Sequence, residues 1–150
     1  VGAGMMNIEV EGANGGLHTN YEGKAQAAAD TLLKDGQDFV YIHLEGPDEM
    51  GHQGSVERKI QAIENMDARL IKPLVERMDA SGEEYRLLVM PDHPTPICIR
   101  THSSKPVPFM IYDSRKDLKK EWRYNEREAS ASGNIVIEDG YKLMDRLIRE

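Results

Sequence analysis

Apolar residues in this chain fall into short runs and helical stripes, divided by glycine- and proline-rich punctuation. Phe39 to Leu44 is a compact β-rich run stopped by Gly46-Pro47, and Tyr85 to Met90 and Phe109 to Tyr112 repeat the pattern. Short apolar runs ended by turn residues predict buried strands. Between the first two, Val56, Ile60, Ile63, Leu70, Leu74 and Met78 keep to helical spacing. That stripe predicts a helix over about Ser55 to Met78, packed through these residues and kinked around Ile71-Lys72, because Pro73 has no amide hydrogen to give. An earlier helix is expected from an Asn20 cap to about Lys34, with Ala25, Ala28, Ala29, Leu32 and Leu33 as its packing face. Ile8 to Glu11 reads as a short strand between glycine turns. Tyr141, Leu143, Met144, Leu147 and Ile148 read as a C-terminal amphipathic helix. Residues 113–132 are highly charged, with Leu118, Trp122 and Tyr124 as their few apolar positions, and are expected to form a surface excursion.

Strand, helix and strand at this spacing make a βαβ unit, so an α/β fold with a parallel pair and a right-handed crossover is expected. The length of 150 residues, with 39% hydrophobic and 30% charged, suits one domain with a sizeable core. A net charge of −7 argues against a nucleic-acid-binding surface. No stretch approaches membrane-spanning length, and no signal-like segment is present. Cys98 is the only cysteine, which rules out disulfides within the chain and fits a reducing cytoplasm. The chain starts at Val1 and is expected to be a piece of something longer.

The chemistry gathers where the strand-like runs end. Asp48 and His52 are four residues apart, so a helical turn after Pro47 puts both on one side, able to close on one cation. Downstream, Asp92-His93 again follows a strand-like run, and His102 lies in a loop rich in proline. A buried, hydrogen-bonded imidazole is the ordinary role for any one histidine, but three in such positions, two of them beside an Asp, have the profile of ligands. His43 alternates with Tyr41 and Glu45 and is expected to be structural or to orient a ligand; His18 reads as a solvated loop residue. Glu45 and Glu49 are weaker candidates, with solvated or helix-capping roles as the commoner reading. Imidazoles mixed with carboxylates favour zinc or manganese over calcium, and the ligands suffice for two ions, which together would clamp a transferring phosphoryl group. A nucleophile is missing. Ser55, Ser103 and Ser104 each have a cap or turn role. The glycines of residues 1–4 and 14–16 lack the Gly-Lys-Ser/Thr that a phosphate loop needs.

Pro47-Asp48-Glu49-Met50-Gly51-His52-Gln53-Gly54, Pro91-Asp92-His93-Pro94-Thr95-Pro96 and Arg100-Thr101-His102-Ser103-Ser104-Lys105-Pro106-Val107-Pro108 together resemble the cofactor-independent phosphoglycerate mutases. The likeness is to their archaeal-type branch, within the alkaline phosphatase superfamily. The resemblance implies a three-layer α/β/α sandwich with a mostly parallel sheet. It assigns Asp48, His52 and His102 to one metal, and Asp92 and His93 to part of a second site. Manganese comes first among the candidate ions, with zinc or magnesium next. The implied reaction moves phosphate between the 3- and 2-positions of glycerate through a phosphoserine. The family's nucleophilic serine, one further Asp ligand and most of its substrate-binding domain precede the matching region. The whole chain, 1–150, is therefore expected to be the C-terminal part of the phosphatase-like domain and inactive by itself, and an exposed sheet edge invites self-association. The same branch includes members proposed as homoserine kinases, and a non-catalytic metal-binding α/β module is a further alternative.

Overall fold

The structure is a computed structural model that describes residues 4–116, 123–131 and 135–149. These form two units: residues up to 82 with Thr95–His102, and Glu83–Pro94 with the residues from 103 onward. No helix among the described residues is long and apolar enough to cross a membrane.

In the first unit α1 spans Tyr21–Leu33, and its start is the expected one: Asn20 Oδ1 accepts from the Gly23 amide at 2.8 Å. The small face is buried through Ala25, Ala28 and Ala29. Tyr21, wholly buried, gives its hydroxyl to the Leu17 carbonyl at 3.1 Å. Arg69 lies over the Tyr21 ring, 5.2 Å from its centre, and reaches both Glu22 oxygens at 2.6 and 3.0 Å. Cation, ring and carboxylate thus tie α1 to the long helical hairpin arm that follows.

That arm is divided. α3 covers Val56–Met66, capped by Ser55, whose Oγ accepts from Arg58 N at 3.3 Å; a π-helical turn covers Asp67–Ile71; α4 covers Lys72–Ser81. The break falls where Pro73 predicts it. The Lys72 amide bonds back to Asp67 O, and this wider loop gives the proline ring room against the preceding turn. The extra residue in a π turn also offsets the two sides by about 100°. Leu70, Leu74 and Met78 are consequently buried, whereas Val56, Ile60 and Ile63, expected to pack with them, are exposed at 58%, 51% and 46%. α3 instead buries Ala62, which packs with Leu17 and with Met50 of α2, the helix Gly46–His52.

Residues 39–44 alternate in burial as a strand would, with Val40, Ile42 and Leu44 half-buried and Phe39, Tyr41 and His43 exposed. They join no ladder among the described residues, so the expected parallel pair is not formed there. An extended segment becomes a strand only when another edge takes its amides and carbonyls. Ile8 to Glu11 likewise forms no strand.

The second unit holds the one sheet found among the described residues, β1 (Arg86–Val89) against β2 (Met110–Asp113), antiparallel with Leu88 opposite Ile111. Both strands lie where the apolar runs place them, and the chain is α/β. Asp113 is buried beneath three cations, Arg86, Arg115 and, at 3.4 Å, Lys116. Arg115 reaches it at 2.6 and 2.8 Å and Arg86 at 3.2 Å, and the Arg115 hydrogen bonds hold its carboxyl far below the usual range. Tyr124 Oη sits 2.9 Å from Pro108 O, just before β2, and 3.3 Å from Val89 O, the last residue of β1, and burial pushes its pKa up to about 12. The charged excursion contains a short helix, α5 (Glu126–Ala131), with no buried residue; Leu118 and Trp122 lie outside the described residues. The C-terminal helix, α6, spans Leu143–Arg149, with Leu143 buried.

Two outcomes test this packing. Gly51, inside α2, has no room for a side chain: a Cβ would lie 2.6 Å from the Thr95 carbonyl oxygen and 2.9 Å from Lys59 Nζ. Glycine to alanine inside a helix ordinarily stabilises by about 1 kcal/mol. Gly51→Ala is expected instead to destabilise by about 1–3 kcal/mol in denaturant unfolding, because backbone has to move. The second concerns Asp30, which joins α1 to α4 through Arg77. Hydrogen bonds from Gln26, Lys34 and Arg77 lower its pKa from 3.8 to about 2. A folded-state value below the unfolded one means that this contribution is whole above about pH 4 and disappears as pH falls through about 2. Asp30→Asn should flatten the thermal stability profile in that window and leave its shape above pH 5 unchanged.

Candidate metal centre

α2 is built to start abruptly. Gly46 lets the chain enter it close to α1, since a Cβ there would meet the Tyr21 hydroxyl at 3.3 Å and Gly16 O at 3.4 Å. Pro47 then fits the first turn, where no amide donor is needed. Asp48 stands in that first turn and His52 at the last position, four residues on and on the same side.

Opposite them runs the Thr95–His102 loop. Arg100 and Ile99 amides both return to Pro96 O, at 2.9 and 3.1 Å, and Arg100 takes a left-handed φ of 53°. This turn aims the Arg100 carbonyl at α2, where His52 Nδ1 meets it at 3.0 Å. A carbonyl can only accept, so Nδ1 carries the hydrogen and Nε2 of the neutral ring presents a lone pair. His52 Nε2 lies 3.1 Å from His102 Nε2 and 3.3 Å from Asp48 Oδ2, and His102 Nε2 lies 3.4 Å from Asp48 Oδ1. Thr95, only 4% exposed, donates its hydroxyl to Asp48 Oδ1, and its carbonyl accepts from Lys59 Nζ at 2.7 Å.

The imidazole nitrogens are 3.1 Å apart, Asp48 meets His52 through Oδ2 and His102 through Oδ1, and one ligand atom from each of the three residues lies within 4.8 Å of the others, close enough to share a cation. Bonds of about 2.1 Å give donor separations of about 3.0 Å in an octahedron and about 3.4 Å in a tetrahedron. Without a cation or a shared proton the three would repel. The donor set therefore fits a divalent ion. Asp48 and His52 are about one-third exposed and His102 about half, which leaves the outer coordination positions open to water or substrate.

The other expected site residues are placed differently. Asp92 and His93 belong to the second unit, where Asp92 Oδ1 accepts from the His93 amide at 3.0 Å and Oδ2 lies 3.5 Å from His93 Nε2. Among the described residues no third His, Cys, Asp or Glu completes a ligand cluster around that pair. His43 contacts Tyr41 Oη at 3.4 Å and Glu45 at 3.6 Å on the exposed side of its segment, and Lys24 donates to its carbonyl. His18 is exposed and Glu49 points outward from α2. Glu45 lies against Gly15. The residue that sequence reading missed is Thr95. Its Pro-Thr-Pro context carries no local signal for that role, because the carboxylate it meets is 47 residues away in sequence.

Comparison with known proteins points to a metal-dependent family. Residues 2–138 match the Metalloenzyme superfamily. A probable 2,3-bisphosphoglycerate-independent phosphoglycerate mutase from Geobacter sulfurreducens is 43% identical over 97% of this chain, which corresponds to 36% of that protein. A 2,3-bisphosphoglycerate-independent phosphoglycerate mutase from Methanothrix thermoacetophila is 47% identical over 91% of this chain and 34% of its own length. A solved protein from Pyrococcus horikoshii superposes with a TM-score of 0.69 at 34% identity, covering 81% of this chain and 36% of that one. The chain spans about a third of the length of the curated relatives it matches. With a family match over most of its length and three metal-type donors converging beside α2, the chain belongs to the Metalloenzyme superfamily.

Proposed function

We propose that this chain is the metal-binding part of a 2,3-bisphosphoglycerate-independent phosphoglycerate mutase, the C-terminal portion of its phosphatase-like domain. The observation that carries the reading is the convergence of Asp48, His52 and His102 in a chain similar over nearly its whole length to relatives bearing that name. Asp48, His52 and His102 hold one divalent ion, and Asp92 and His93 supply part of the ligand set of a second. Manganese suits the mixture of imidazole and carboxylate, with zinc or magnesium as the other choices. When bound, the ions supply positive charge that stabilises the oxygens of a transferring phosphoryl group.

The chain's own residues do the positioning. The Arg100 carbonyl keeps His52 Nε2 free of hydrogen and turned toward Asp48, and the open sides of the cluster admit a phosphate oxygen. Ser55 is engaged as the cap of α3. The nucleophilic serine and the contacts to phosphoglycerate come from the rest of a longer polypeptide, so the chain by itself does not turn over substrate. A cytoplasmic place of action suits its single cysteine.

Calorimetric titration with manganese is expected to show binding to the chain that weakens at least about 100-fold in Asp48→Ala and in His52→Ala, since each removes a ligand. Unchanged affinity in both variants would sink the site. The activity is tested by extending the chain to the length of its relatives and following conversion of 3-phosphoglycerate to 2-phosphoglycerate. The long form with manganese should be active, while the 150-residue chain and the long form carrying Asp48→Ala should not. An inactive long form that binds manganese normally would leave the metal centre standing and overturn the mutase reading.

A further inference from the structure

An Asp on a helix can turn about two side-chain bonds and present either oxygen, so convergence with two imidazoles has to be imposed from outside the helix. Here the imposing group is Thr95. Its hydroxyl has one hydrogen and spends it on Asp48 Oδ1, the oxygen that faces His102, which leaves Oδ2 for His52. The threonine is itself held on three sides. Its carbonyl accepts from Lys59 Nζ at 2.7 Å, the same carbonyl closes over Gly51, and its methyl carbon lies where a Gly51 side chain would begin, 3.0 Å from that position. Threonine is stiff at its first side-chain torsion, and burial at 4% exposure removes water as a competing partner. These contacts restrain the threonine with its hydroxyl on Asp48.

The geometry points to Thr95 as a positioning residue for the metal centre: it fixes the Asp48 carboxylate in the orientation that a divalent cation requires, without touching the cation. This rests on the metal reading given above. Groups that hydrogen-bond to a ligating carboxylate restrict its rotation and set its basicity, and their removal typically costs 10–100-fold in metal affinity. Threonine also suits the task because its oxygen is occupied as a donor to the carboxylate, so it marks one carboxylate oxygen without adding charge to the shell.

The test compares wild type with Thr95→Val, which keeps the shape and loses the hydroxyl, and Thr95→Ser, which keeps the hydroxyl. Manganese titration should show Thr95→Val weaker by about 10–100-fold and Thr95→Ser within about threefold of wild type. Cobalt(II), loaded in place of manganese, gives a visible absorption spectrum that reports ligand geometry. It should be altered in Thr95→Val and restored in Thr95→Ser, a change that a purely structural role would not produce when thermal melting shows the metal-free variants folded. If Thr95→Val fails to fold, Thr95→Ala takes its place in the comparison with Thr95→Ser. Wild-type affinity and spectrum in the hydroxyl-free variant overturn the inference and leave the metal site intact. Equal losses in the serine and valine variants also overturn it, because the hydroxyl would then be irrelevant. A wild-type chain that binds neither ion overturns the metal reading, and the positioning role falls with it.

Discussion

Two imidazole nitrogens and a carboxylate, all within 3.4 Å of one another and all richer in electrons than in hydrogen, do not stay together unaided. Much of the local structure in the first unit is explained by the need to hold them. A seven-residue helix gives the spacing of Asp48 and His52, and glycine and proline at its start let it begin abruptly. The facing loop coils on Pro96 and reverses at Arg100, spending a left-handed residue to deliver one carbonyl to His52. Left-handed backbone in a side-chain-bearing residue costs about 1–2 kcal/mol, and such costs gather at functional sites. Stability comes from elsewhere in the unit, from the buried tyrosine, its arginine and the alanine face of α1.

This separation of stabilising and ligating parts shapes what substitutions do. Arg69, Glu22, Arg77 and Asp30 bind helix to helix through charge-assisted hydrogen bonds, with no contact to the ligand atoms. Gly51 and Thr95 belong to both parts: they seat the loop on α2, and the loop carries His102. The Asp48, His52 and His102 cluster is consequently braced from the side of the loop and half-open on its other side.

How much of this was legible in the sequence follows from how local each feature is. The cap at Asn20, the proline break and the Asp48–His52 pairing depend on residues a few positions apart, and all three appear in the structure as read. β1 and β2 were marked by their apolar runs, though not their antiparallel pairing, which depends on what lies between them. Residues 39–44 show the limit: the alternation is there, but strand formation also needs an edge to pair with, and no window of sequence contains it. His102 was tied to Asp48 through family resemblance, since spacing cannot bring together residues more than fifty apart. Thr95 was passed over because threonine between prolines reads as a turn, and only the folded loop reveals that its hydroxyl faces a carboxylate.

The π turn at Asp67–Ile71 sets the phase between the helices on either side of it. A π turn holds one residue more than an α turn, and the surplus is taken up as a bulge between α3 and α4. The stripe from Val56 to Met78 is one continuous face on paper and two rotated faces in space. A substitution scan read against one unbroken helical period would therefore match exposed positions on one side of the turn with buried positions on the other.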